Sequence, residues 1–204
     1  MVSVLEQIKS AKKNNTFLHV KNFNKDVPSW DDFINNINYK YSNNYDSKEN
    51  QHTRFLMNQN TQTEILSQHN QLDAFSHYSY VFKDGENIFS SGHLDGCNHV
   101  ANILKNSLVK GNSSIHVTAI TNFIKHDKKY EIHSDKTEVI NWHCIGKIDW
   151  KVYDEQDNCS ILNIDPGDLV FIPAGMKHEV IIYEPRASII FDFFLDENTL
   201  DNEK

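Results

Sequence analysis

Two separated segments of the chain carry side chains whose types and spacing could hold a metal ion. His133-Ser134-Asp135 offers an imidazole and a carboxylate two residues apart. His178 follows the turn-rich run Pro166-Gly167-Asp168-Leu169-Val170-Phe171-Ile172-Pro173-Ala174-Gly175-Met176-Lys177. In an extended strand residues i and i+2 point to one face, so His133 and Asp135 are expected to aim together at one ion, with His178 arriving from a neighbouring strand. Two imidazoles and one carboxylate on one side of a metal leave its other positions open, which is the ligand pattern of non-haem Fe(II) oxygen chemistry. Taken singly, each residue has a duller role: a His beside a turn is commonly a surface or hydrogen-bonded core residue, and an Asp after Ser a cap or turn residue. The joint context gives the set its weight.

The elements that must position these side chains can be read from periodicity. A short helix is expected over 4–12 and an extended segment over 16–20. A second helix starts at Ser29, where Ser29 and Asp32 form a capping-box-like pair and Trp30, Phe33, Ile34 and Ile37 make an apolar stripe. Residues 39–53 are polar and read as a loop over an entrance, 75–82 and 87–90 as strands, and 96–110 as an amphipathic helix closed by Gly111. From residue 114 the pattern changes to short β-branched or aromatic runs: 114–123, 139–145, 149–153, 160–164, 168–172, 179–183 and 187–194. Turn signals such as Gly146-Lys147, Asp157-Asn158, Asp165-Pro166-Gly167, Pro173-Ala174-Gly175 and Glu184-Pro185 separate most of them, as in an antiparallel sandwich or barrel.

The chain has 204 residues, enough for one well-buried core and read as a single domain. Its formal charge of −8 disfavours nucleic acid as a partner, because phosphates would be repelled. The cluster Lys125, Lys128 and Lys129 reads as a solvated loop. Cys97, Cys144 and Cys159 are odd in number and widely spaced, which favours a reducing, intracellular (cytoplasmic) setting. No apolar run reaches 18 residues, so no membrane partner is expected, and the N-terminus lacks the pattern of a secretory signal.

His133-x-Asp135 is followed by Gly146-x-x-x-Trp150-x-x-Tyr153, Asp165-Pro166-Gly167-Asp168, Ile172-Pro173-Ala174-Gly175 and His178. This series, within 133–194, resembles the double-stranded β-helix of cupin-fold oxygenases, especially the JmjC-like branch dependent on Fe(II) and 2-oxoglutarate. The resemblance implies a mainly β fold: a cupin or jelly-roll barrel with flanking N-terminal helices. Within one domain it sets a helical and mixed flanking region at 1–112, a barrel core at 113–195 and a frayed acidic tail at 196–204. It also implies a dioxygenase with His133, Asp135 and His178 as iron ligands and 2-oxoglutarate as cosubstrate, acting on a small molecule or a protein side chain.

Two positions depart from the pattern. Ile148 stands where JmjC-like enzymes commonly have a Lys that pairs with the distal carboxylate of 2-oxoglutarate, and His143 stands where they usually have Gln. Lys147 is adjacent to Ile148, but in a strand it faces the opposite way. An unpaired buried carboxylate is costly, so another cation is required. Arg186, with Ser188 two residues on, resembles the Arg-x-Ser arrangement by which other 2-oxoglutarate oxygenases grip that carboxylate, and Tyr130 sits where related enzymes offer it a hydroxyl. The alternatives are a solvent-facing Arg186 at a hairpin tip, a cupin-type dioxygenase or isomerase without 2-oxoglutarate, and a non-enzymatic cupin-fold binding module.

Overall fold

A computed structural model describes residues 3–34, 52–58, 61–66, 87–90, 116–123 and 132–193. The chain begins with α1 (Val4–Lys13), capped by Ser3, whose hydroxyl accepts the Glu6 amide, and then β1 (Leu18–Val20). The second helix starts at Trp30, as the Ser29/Asp32 pair predicts. The Asp32 carboxylate accepts both the Ser29 amide and its hydroxyl, at 2.8 and 2.7 Å.

Three strands, β2 (His52–Asn58), β3 (Thr61–Leu66) and β4 (Asn87–Ser90), precede the predicted barrel strands. The barrel strands follow as β5 (His116–Asn122), β6 (Glu138–Ile145), β7 (Ile148–Tyr153), β8 (Cys159–Ile164), β9 (Leu169–Ile172), β10 (His178–Ile182) and β11 (Arg186–Phe193). Each lies within a residue or two of its expected bounds. Residues 52–53, read as the end of a polar loop, open β2 instead, and β3 has no counterpart among the expected strands. The rest of that loop, the strand expected at 75–82, the helix expected at 96–110 and the acidic tail lie outside the described residues.

Among the described residues all pairings are antiparallel. Eight strands form one sheet in the order β1-β9-β6-β11-β5-β4-β2-β3, and three form a smaller one in the order β10-β7-β8. The chain crosses between sheets at β6–β7, β8–β9, β9–β10 and β10–β11, and this alternation winds the two sheets into a double-stranded β-helix. Strand alternation gives the large sheet two buried faces. Ile140, Trp142, Leu169, Phe171, Ala187, Ile189, Phe191 and Phe193 face outward beneath α1 and the second helix, packing with Ile8, Ala11 and Phe33. Val139, Val170, Ile172 and Ile190 face inward against Ile148, Trp150, Val152, Ile164, Val180 and Ile182 of the small sheet. Burial on both sides explains why β6 and β9 read as nearly continuous apolar runs. Each fully buried Phe or Trp of the outer layer contributes about 1.5–3 kcal/mol.

Polar contacts tie the N-terminal segment to the barrel. Asp168 accepts the amides of Asn22 and Asp165 and pairs with His19 at 2.9 Å. Burial pushes the Asp168 carboxyl up, but the Asn22 amide, the His19 ring and the Asp165 amide together hold it below its ordinary value. Lys12 at the end of α1 pairs with the buried Glu138 at the start of β6.

Candidate metal centre

At the end of the barrel where β10 begins, His178 opens its strand opposite Val152 of β7. Its own N–H and carbonyl exchange hydrogen bonds with those of His133, at 2.8 and 3.0 Å, a single antiparallel bridge. His133 and Asp135 therefore do not share a regular strand, as their spacing suggests. The bridge holds His133, while the Asp135 carbonyl accepts the Gly175 amide at 2.8 Å. Gly175 sits at φ +82°, a conformation suited to glycine, so the Pro173-Ala174-Gly175 turn carries the segment to its place.

The outcome is convergence. One ligand atom from each of His133, Asp135 and His178 lies within 4.8 Å of the others, and His178 Nε2 stands 3.5 Å from Asp135 Oδ2. The donor chemistry fits a divalent transition metal. His178 Nδ1–H donates to the Met176 carbonyl at 3.0 Å, which leaves Nε2 as the lone-pair nitrogen directed at Asp135. Burial pushes the His178 ring below its ordinary pKa, favouring the neutral form that a metal requires. The His178 ring stacks on Trp150 at 5.1 Å and meets His133 at 4.4 Å, so its orientation is fixed by packing as well. His178 is buried whereas the Asp135 side chain is 39% exposed, so the cluster is open on the Asp135 side.

The neighbours of His178 face away from the lumen. Lys177 is exposed and pairs with Asp157. Glu179, although buried, lies on the outer face of the small sheet, where it accepts from Lys151 and from the Tyr153 hydroxyl at 2.8 Å. That bond is the largest reason the Tyr153 hydroxyl is pushed up to about 12.

At the opposite end of β11, Arg186 is only 3% exposed. It is no hairpin-tip residue in solvent. It pairs with Asn122 across the β5–β11 ladder, and alternation puts it on the inner face with Ser188 and Ile190. Beside it lies His143, fully buried on β6. His143 Nε2–H donates to the Gly146 carbonyl at 3.0 Å, so its bare Nδ1 accepts from the Ser188 hydroxyl at 2.9 Å. Burial pushes His143 down to about 4; the Gly146 carbonyl acts the other way and the Arg186 charge pushes further down. The Ser188 proton is thus directed at His143. Ile148 is completely buried and Lys147 exposed, consistent with opposite faces. Tyr130, His126 and the cluster Lys125, Lys128 and Lys129 lie outside the described residues.

The sequence reading passed over Asn141 as a site residue. It lies on the inner face of β6 between Val139 and His143, fully buried, and neither its amide oxygen nor its nitrogen has a hydrogen-bond partner. The one available signal was a polar residue among the apolar inward positions of a strand.

No family model and no curated protein sequence matches the chain. Solved structures do. The X-ray structure of YcfD from Escherichia coli superposes with a TM-score of 0.63 at 12% identity over 98% of this chain and 54% of that one. The ribosomal oxygenase YcfD from Escherichia coli in complex with cobalt and 2-oxoglutarate gives 0.58 at 14% identity, over 90% and 49%. The chain therefore spans about half the length of these proteins. At such identity the likeness shows the fold, and the expected β-helix barrel is the fold found. Among the described residues no helix is long and apolar enough to cross a membrane.

Proposed function

We propose that this protein is an Fe(II)- and 2-oxoglutarate-dependent oxygenase. The observation that carries the reading is the convergence of His133, Asp135 and His178 at one end of the barrel, two imidazoles and one carboxylate with an open side. The likeness to a barrel that binds cobalt and 2-oxoglutarate supports it. Iron held by these residues would supply activation of oxygen coupled to decarboxylation of the 2-oxo acid, and so hydroxylation of a substrate C–H bond.

The protein's part is to hold and orient. Met176 fixes the tautomer of His178, Trp150 fixes its plane, and the His133–His178 backbone bridge sets the spacing of the two rings. Arg186, buried on the inner face, supplies the cation for the distal carboxylate, in the bidentate manner a guanidinium allows. Ser188 contributes by holding His143 against β11, and Tyr130 is assigned a hydroxyl contact to the same carboxylate. The apolar inner walls exclude water from the bound acid. The substrate is a small molecule or a protein side chain, approaching over the exposed side of Asp135.

One observation favours a second reading. Ile148 replaces the usual Lys, as expected of a cupin-type dioxygenase or isomerase that uses no 2-oxoglutarate and directs Arg186 at an acidic substrate. Anaerobic titration decides between them. Adding Fe(II) and then 2-oxoglutarate to apo-protein is expected to give the weak visible charge-transfer band of the chelate. Iron binding without that band establishes the second reading, and no iron binding leaves a non-enzymatic binding module. His133→Ala and His178→Ala are each expected to abolish iron binding; full occupancy in either would remove the triad.

A further inference from the structure

A strand at the border of a sheet leaves a row of backbone N–H and C=O groups unpaired, and proteins blunt such borders with shortness, charge, bulges or a covering segment. The two sheets have four border strands, β1, β3, β8 and β10. β1 has three residues, β3 carries Glu64, and β10 carries Glu179 and is bridged at its start by His133. Among the described residues β8 has none of these devices. Its six residues, Cys159-Ser160-Ile161-Leu162-Asn163-Ile164, include no charge, no Pro and no Gly, and they pair with β7 at every position without a register shift. Ile161 is 60% exposed, and Cys159, Ser160 and Asn163 are exposed beside it.

Such an edge is a template for another strand, and the charges at its two ends select the occupant. The hairpin that leads into β8 carries exposed Asp154, Glu155 and Asp157, of which Asp157 pairs with Lys177. The turn that leaves β8 carries exposed Asp165. Because the Asn24 amide donates to the Gly167 carbonyl, that turn lies beside the segment holding exposed Lys21, Lys25 and Asp26. A second copy laid parallel would set one acidic hairpin on the other. An antiparallel copy sets each hairpin against a turn region of balanced charge, and it gives a closed two-fold dimer in which both β8 edges are covered.

Directly opposed residues share a face of the joined sheet, so the two-fold falls on Ile161 or on Leu162. On Leu162 it would set Ile161 against the Asn163 amide. On Ile161 it sets that side chain against its own copy, with Ser160 opposite Leu162 and Cys159 opposite Asn163, and it removes the exposed isoleucine from water. We propose that β8 is a homodimer edge, two copies of this chain pairing antiparallel through it about a two-fold at Ile161. The two three-stranded sheets then join into one continuous sheet, β10-β7-β8 of one copy running into β8-β7-β10 of the other. His178 opens β10, the strand farthest from the joint, so each copy keeps its own metal-ligand cluster accessible.

The test is sedimentation velocity across a wide range of protein concentration, with wild type expected to form a dimer. Ile161→Lys and Ile161→Glu alter an exposed side chain, and each sets two like charges across the two-fold. Circular dichroism and urea unfolding are expected to match wild type in both. Each variant alone is expected to self-associate about tenfold or more weakly than wild type. An equal mixture of the two is expected to regain the dimer, because Lys then faces Glu. Wild type that stays monomeric throughout would overturn the inference, as would variants that dimerise like wild type or a mixture that fails to regain the dimer. None of these results bears on iron or 2-oxoglutarate binding, so the proposed function stands or falls separately.

Discussion

His143 should impose a measurable pH dependence on folding. It is fully buried, donates to the Gly146 carbonyl, accepts from Ser188, and faces the charges of Arg186, Asp168 and Asp165. Its ring titrates at about 4 in the folded chain against an ordinary 6.5. The depressed value fixes the sign. Above 6.5 the ring is neutral in both states and stability is unaffected. As pH falls from 6.5 toward 4 the unfolded chain takes a proton that the folded chain refuses, and stability is lost at up to ~1.4 kcal/mol per pH unit. Across the whole window the loss approaches roughly 3 kcal/mol, and by pH 5 it is about 2 kcal/mol.

The informative variant is His143→Gln, which keeps a neutral donor and acceptor at the position but cannot titrate. Urea unfolding followed by circular dichroism at pH 7.5, 6.5, 5.5 and 5.0 would be measured for both proteins. Carboxylates such as Asp168, and the other histidines, are common to both and cancel in the difference. Wild type is expected to lose about 2 kcal/mol more than the variant between pH 7.5 and 5.0. Two curves that stay parallel within about 0.5 kcal/mol, the usual spread of independent sites, would show that His143 is not held neutral by burial. The account of that end of the barrel would then fail.

Gly146→Ala should cost roughly 3 kcal/mol or more, since φ is +87° and the new Cβ would stand 2.3 Å from the Pro185 carbonyl oxygen. Gly175→Ala, at φ +82° with nothing within 4 Å, should cost only about 1 kcal/mol; equal losses in thermal unfolding would refute the close approach of the two turns. Arg186→Ala should leave iron bound while weakening 2-oxoglutarate at least about tenfold, the scale of a charge-assisted hydrogen bond. Unchanged cosubstrate affinity in an anaerobic titration would remove Arg186 from the site. Ile148→Lys should destabilise the protein by about 3–5 kcal/mol, the cost of an uncompensated buried charge. Urea unfolding within about 1 kcal/mol of wild type, the size of an ordinary surface change, would show that the position is not dry.

The barrel was legible because its strands obey local rules. Gly146, Gly167 and Gly175 all adopt positive φ at the predicted turns, and the Ser29/Asp32 pair starts its helix where capping chemistry requires. The three ligand candidates were legible as residue types, but the means of their convergence was not. A two-residue spacing suggested one strand face, whereas the structure uses a single backbone bridge to His178 and the Gly175 amide, contacts more than 30 residues apart in sequence. Asn141 was missed because a polar residue within an apolar run gains its meaning only once the burial of both strand faces is known. β3 was missed because Thr61-Gln62-Thr63-Glu64 is polar enough to read as loop, and its pairing with β2 is a tertiary fact.

The missing Lys finds its physical reason in the small sheet. Ile148 pairs laterally with Ile164 of β8 and Ile182 of β10, and all three are at most 3% exposed. An ammonium at that position would be desolvated against two isoleucines, a placement the protein avoids by filling the floor with hydrocarbon. The large sheet offers the opposite environment. Arg186 lies across from Asn122 and on the same face as Ser188 and His143, polar groups that lower the cost of burying a guanidinium. The two inner walls therefore divide the work. In the proposed function the small sheet contributes His178, Trp150 and an apolar surface, while the large sheet contributes Arg186. On the proposed reading, moving the cation from β7 to β11 does not remove a grip on the cosubstrate. It places that grip on the wall that can keep a charge buried.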